Sequence, residues 1–120
     1  MARSNINTEA GRNNIRAQLL ERLKAEHCLW SYNVSEIQDI PDDMLIELVM
    51  LHLDIEDINS LFLIFPYGKV KKGWLENVVV QGERYYNLNL FFSWYYFHAK
   101  KPSQYVKAMA TRYQNKRISA

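Results

Sequence analysis

Apolar side chains recur at helical spacing through most of this 120-residue chain. Ile15, Leu19, Leu20 and Leu23 fall three and four residues apart with Arg and Glu between them, which predicts an amphipathic helix that docks by one stripe. Thr8, just before it, has the hydroxyl an N-cap needs, and Gly11 is a weak point in the first turn. Residues 1–7 are polar and Asn-rich and are expected to be disordered. The period breaks over residues 29–34, and Ser35 with Gln38 has capping-box spacing for a short helical turn. Pro41 ends that turn. Asp42 and Asp43 then place negative charge where a helix N-terminus favours it. Positions 43–53 are apolar nearly all round, with Asp43 and Glu47 on one narrow side, so this helix is expected to be central.

Ile58, Leu61, Phe62 and Phe65 form the stripe of the next helix, and Pro66-Tyr67-Gly68 reads as a turn. Residues 69–80 read as helical, with Val70, Trp74 and Val78 facing inward, although Gly73 costs about 1 kcal/mol of helix propensity. Residues 78–86 are ambiguous. Valines and tyrosines around a Gly-X pair fit a small β-hairpin, while helix ends joined by a turn are the preferred reading. The segment 85–97 then holds eight of the chain's sixteen aromatic side chains. On a helix, Leu88, Phe91, Phe92 and Tyr95 form one stripe, assigned to the core. Leu90, Trp94 and Phe97 form an adjacent stripe, and Asn89, Ser93 and Tyr96 mark the polar side. Pro102 and Ser103 start a last amphipathic helix, with Val106, Met109, Ala110 and Tyr113 inward and Lys107 and Arg112 outward. The expectation is an all-α fold, a compact bundle of about five to six short helices. Residues 8–113 would form a single helical domain and residues 114–120 a frayed basic tail.

Length and composition narrow the class. A chain of this length buries roughly two-thirds of its unfolded surface and needs no metal or disulfide to fold. Cys28 is the only cysteine, so no intramolecular disulfide forms, and it reads as a small hydrophobe in a reducing cytoplasm. Met1 is followed by polar residues, not by the apolar core of a signal peptide, and no run approaches the roughly 18 apolar residues of a membrane span. A cytoplasmic protein is expected. The net charge of +2 hides a division. Residues 36–57 hold eight acidic and no basic side chains, whereas residues 100–120 hold six basic and no acidic ones. Solvated faces and matching to helix dipoles account for such blocks, and so does pairing within the fold or between partners.

Catalytic chemistry finds no support. His27, His52 and His98 are isolated, with no second ligand three or four residues away. The carboxylate pairs Asp42-Asp43 and Glu56-Asp57 sit where helices begin, which explains them. The glycines at 11, 68, 73 and 82 never approach phosphate-loop spacing, and no serine has a nucleophile signature. No enzyme activity, cofactor, metal or small-molecule substrate is expected. Two binding readings remain. In the first, the rings off the main stripe, Tyr86, Trp94 and Tyr96, form a protein interface, since Tyr and Trp dominate interface hot spots. In the second, residues 55–80 form a helix-turn-helix. Lys69, Lys71 and Lys72 then lead the second helix toward DNA, and Lys107, Arg112, Lys116 and Arg117 add phosphate contacts.

Several segments together resemble a family of small bacterial domains of unknown function, often encoded beside nucleotidyltransferase-type toxins and presumed antitoxin-like. They are Leu29-Trp30-Ser31-Tyr32 with the Asp/Ile-rich residues 37–41, Asp54-Ile55-Glu56-Asp57-Ile58, Phe65-Pro66-Tyr67-Gly68 with Val70-Lys71-Lys72-Gly73-Trp74, Arg84-Tyr85-Tyr86-Asn87-Leu88-Asn89, and Tyr96-Phe97. The likeness covers about residues 28–105. It implies a non-enzymatic module that binds a partner protein, with DNA as a further ligand, and it brings no catalytic residues.

Overall fold

The computed structural model describes residues 8–26 and 38–119. The expectations for residues 1–7, His27, Cys28, residues 29–34 and Ser35 lie outside the described residues. The described part is helical, with no strand among its residues. The chain gathers into two compact units, Met1–Val70 and Lys71–Ala120.

In the first unit, α1 spans Glu9–Ala25, α2 Asp42–His52 and α3 Ile55–Ile64. Thr8 caps α1 as its hydroxyl predicts, with Oγ1 accepting from the Gly11 N–H at 2.9 Å. Leu19, Leu20 and Leu23 on α1 are buried, as are Leu45, Ile46, Val49 and Met50 on α2 and Ile58 and Leu61 on α3. Helix α3 starts at Asp54, whose N–H donates to Asp57 Oδ2 at 3.3 Å. Arg22 of α1 reaches both carboxylates, at 3.5 Å to Asp54 and 3.2 Å to Asp57. The acidic start of α3 is thereby both a cap and an anchor for α1.

Helix α4, Tyr67–Gly73, carries the chain across the boundary between the units. Its beginning corrects one expectation. Tyr67 and Gly68 are its first turn, because the Pro66 carbonyl accepts from the N–H groups of Lys69 (3.0 Å) and Val70 (3.2 Å). A proline lacks a donor but keeps its acceptor, so it launches a helix as readily as it ends one.

A π-helical turn, Trp74–Val78, and a 3₁₀ segment, Val79–Tyr85, follow, leading into α5, Tyr86–Tyr95, and α6, Pro102–Ser119. The β-hairpin alternative for residues 78–86 is not supported. Val78, Val79 and Val80 are buried as core residues of the helical path. Gly82 supplies a kink (φ 81°, ψ −148°) that opens no strand. Val70, Trp74 and Val78 face inward as their spacing predicts, all at 0% exposure. Residues 114–119, expected to fray, are the last turns of α6. Gln114 Nε2 donates to the Val80 carbonyl at 3.1 Å, which ties this end of the helix to the 3₁₀ segment.

Candidate functional site

The orientation of α5 follows from one polar requirement. Trp74 is fully buried, and a buried indole N–H must find an acceptor. Asn89 provides it: Trp74 Nε1 donates to Asn89 Oδ1 at 2.9 Å. Asn89 is only 1% exposed, and Ser93, one turn on, is fully buried with its hydroxyl donating to the Leu90 carbonyl at 2.8 Å. Phe92 and Phe97 complete this face, Phe97 stacking on Trp74 with centroids 4.6 Å apart. The expected polar side of the helix is therefore its inner side.

The rotation moves the expected core stripe. Phe92 is buried, but Tyr95 is 46% exposed, and Leu88 and Phe91 are only half-buried. Successive residues on a helix turn by about 100°, so with 89, 92, 93 and 96 inward, 87, 91, 94 and 95 point outward. Trp94 is 59% exposed. It forms a ring cluster with Phe91, at 6.3 Å, and Tyr95, at 6.0 Å, while Phe91 and Tyr95 stack at 5.2 Å with planes 13° apart. No residue from 86 to 97 is charged. The result is an uncharged, three-ring face on the outside of α5.

The three expected interface residues therefore part company. Trp94 lies at the middle of the exposed face. Tyr96 is half-buried, and burial together with the neighbouring Tyr95 pushes its phenol up to about 12, so it stays neutral at physiological pH. Tyr86 is half-buried, and its hydroxyl shares a hydrogen bond with Ser103 Oγ at 2.8 Å, linking α5 to the start of α6. Tyr95 and Phe91, expected in the core, belong to the exposed face. The signal that could have revealed them was Trp74. An indole placed inward needs an acceptor, and Asn89 is the side chain that, turned inward, sends positions 91 and 95 out.

The expected nucleic-acid residues are also distributed. Lys69 pairs with Asp42 and lies over the Phe65 ring at 5.2 Å. Asp42 also accepts from Arg16 Nη1 at 2.6 Å, and Arg16 Nε pairs with Asp39 at 3.0 Å. The Lys69 hydrogen bond, opposed by partial burial and aided by Arg16, holds the Asp42 carboxyl below its ordinary value. Lys72 pairs with Glu76 at 3.7 Å. Lys71 lies over the Tyr105 ring at 5.7 Å and Lys116 over Tyr113 at 4.8 Å. Arg112 and Arg117 are exposed on α6. Lys107 lines an open groove of about 720 Å³, with Gly82, Glu83, Tyr86 and Gln114 among its other walls.

Among the described residues, no group of three or more His, Cys, Asp or Glu side chains is placed to hold a metal ion. No described helix is long and apolar enough to cross a membrane. No family model, curated protein or solved structure matches the chain.

Proposed function

We propose that this chain is a non-catalytic protein-binding module that self-associates through the outer face of α5. The observation that carries this reading is the exposure of Trp94 and Tyr95 in an uncharged ring cluster. Trp94 and Tyr95 are 59% and 46% exposed, and covering rings of this size is worth roughly a few kcal/mol per protomer at ~25 cal/mol per Å² before the costs of association. A second copy is the natural first occupant. With no charge from residue 86 to 97, two such faces meet about a two-fold axis without opposed charges. An antitoxin-like role, implied by the resemblance of residues 28–105, is the form this module takes when the same face receives a toxin instead.

The helix-turn-helix reading has less behind it. Lys69 and Lys72, two of the three lysines at the head of its second helix, are engaged by Asp42 and Glu76. Helix α4 itself has seven residues, about 10 Å of helix.

Light-scattering mass measured over a concentration series tests the proposal. The native chain should show a concentration-dependent dimer, and Trp94→Ala should raise its dissociation constant at least ~30-fold, as expected for a hot-spot ring worth ~2 kcal/mol or more. Far-UV circular dichroism should stay native, because Trp94 is more than half exposed. A monomer at all concentrations, or a dimer indifferent to Trp94→Ala, rules out self-association through this face.

A further inference from the structure

The charge division first visible along the sequence coincides with the two compact units. Residues 71–120 carry nine basic and two acidic side chains, a net of +7, against six basic and eleven acidic in residues 1–70, a net of −5. Within the second unit the cations have a geometry. On α6, Tyr105, Arg112 and Lys116 fall within an arc of about 40° at 100° per residue, along roughly 16 Å of helix, and Lys101 stands immediately before its first residue, its carbonyl accepting from the Tyr105 N–H at 3.0 Å. Lys71 joins them from α4, its ammonium 5.7 Å from the Tyr105 ring. Lys101, Arg112 and Lys116 are exposed, and no carboxylate pairs with these four cations among the described residues. Glu76 borders a depression with Lys116 and Arg117, and its ion-pair partner is Lys72. Lys107 lies on the opposite flank of the helix, in the groove with Glu83.

We infer that this stripe of Lys71, Lys101, Arg112 and Lys116 binds the phosphate backbone of a nucleic acid, independently of base sequence. A row of cations of one sign with no carboxylate partner is the electrostatic footprint of polyanion binding. Two features favour nucleic acid over an anionic lipid surface. The exposed residues beside the stripe are Gln104, Ala108, Thr111 and Asn115, which offer no apolar face to insert among acyl chains. The stripe is also laid over Tyr105 and Tyr113, rings that hold the cations of Lys71 and Lys116 by cation–π contact. The surface differs from a helix-turn-helix in using the side of a long helix and in making no demand on a groove.

The test is a titration of the full chain against fluorescently labelled 20-nucleotide single strands and duplexes of unrelated sequences. Binding should be independent of sequence. With four phosphates neutralised on duplex, affinity should fall about 100-fold between 50 and 200 mM salt. Arg112→Glu combined with Lys116→Glu should abolish binding at 50 mM salt while leaving the circular dichroism native. Lys107→Glu changes charge off the stripe and should weaken binding only several-fold, and Trp94→Ala should bind as the native chain does. The inference is overturned by absence of binding at 50 mM salt, by full binding in the double variant, or by equal losses from Lys107→Glu and the double variant. Anionic phosphatidylserine vesicles captured in preference to the oligonucleotides would also overturn it.

Discussion

If the Trp74–Asn89 hydrogen bond sets the rotation of α5, replacing Asn89 with Leu should have a defined cost. Leu has the same branched skeleton and no acceptor, so the fully buried Trp74 N–H would lose its partner at 2.9 Å. An unsatisfied buried donor costs about 1–3 kcal/mol, less what the leucine gains by its own burial, which leaves a net loss of ~1 kcal/mol. Trp74→Phe removes the donor and vacates ring volume, costing about 3 kcal/mol on its own. The two changes share one bond, so the double variant should be less destabilised than their sum by about 1–2 kcal/mol. Urea denaturation followed at 222 nm on the four proteins gives this coupling directly, provided the urea slope is unchanged across the set. The reasoning fails if Asn89→Leu is as stable as the native chain, or if the two losses add to within about 0.5 kcal/mol.

Two further predictions concern other parts of the chain. Asp42 titrates below its ordinary value, so its contribution is present above the unfolded carboxyl pKa of about 3.9 and is lost as pH falls through the lower folded value. The gap in urea midpoint between the native chain and Asp42→Asn should accordingly be widest near neutrality and close in acid below that range; a gap that persists unchanged at pH 2 would contradict the pairing with Lys69 and Arg16. Gly82→Ala should cost about 1–3 kcal/mol, because the backbone there has φ 81° and ψ −148°, a region nearly closed to side chains. A Cβ would meet nothing nearer than Gln114 Nε2 at 4.0 Å, so the cost is one of backbone conformation alone, and a thermal midpoint unchanged by the substitution would count against it.

Much of the helical architecture was legible because it rests on spacing. Leu19, Leu20 and Leu23, the central run from Leu45 to Met50, and Val70, Trp74 and Val78 all sit where a 3.6-residue period puts them. What spacing could not supply was the orientation of α5. A hydrophobicity count sees Asn89 and Ser93 as the wet side, whereas burial is decided by whether a polar atom has a partner. That partner, Trp74, lies fifteen residues upstream and belongs to another element. The β-branched run at 78–80 misled for a related reason. Val, like Ile, suits any tightly packed surface, and here the surface belongs to a helical path. Residues 114–119 gave no sign of order in their own composition, and the tertiary bond at their start, from Gln114 to the Val80 carbonyl, reaches a residue far off in sequence.

The π turn at Trp74–Val78 carries a consequence for how the chain tolerates change in length. Its closing bond, from the Val79 N–H to the Trp74 carbonyl, spans five residues, so the turn houses one residue more than an α-helical turn does. Everything downstream is out of phase by about one residue, close to 100°, with an uninterrupted α-helix. Deleting a single residue among Leu75, Glu76 and Asn77 would heal the helix locally and turn Val79 and Val80 away from the core they now fill. An insertion elsewhere in a loop is absorbed by the loop; here the extra residue acts as a gear tooth that sets where the kink at Gly82, and with it α5, begins.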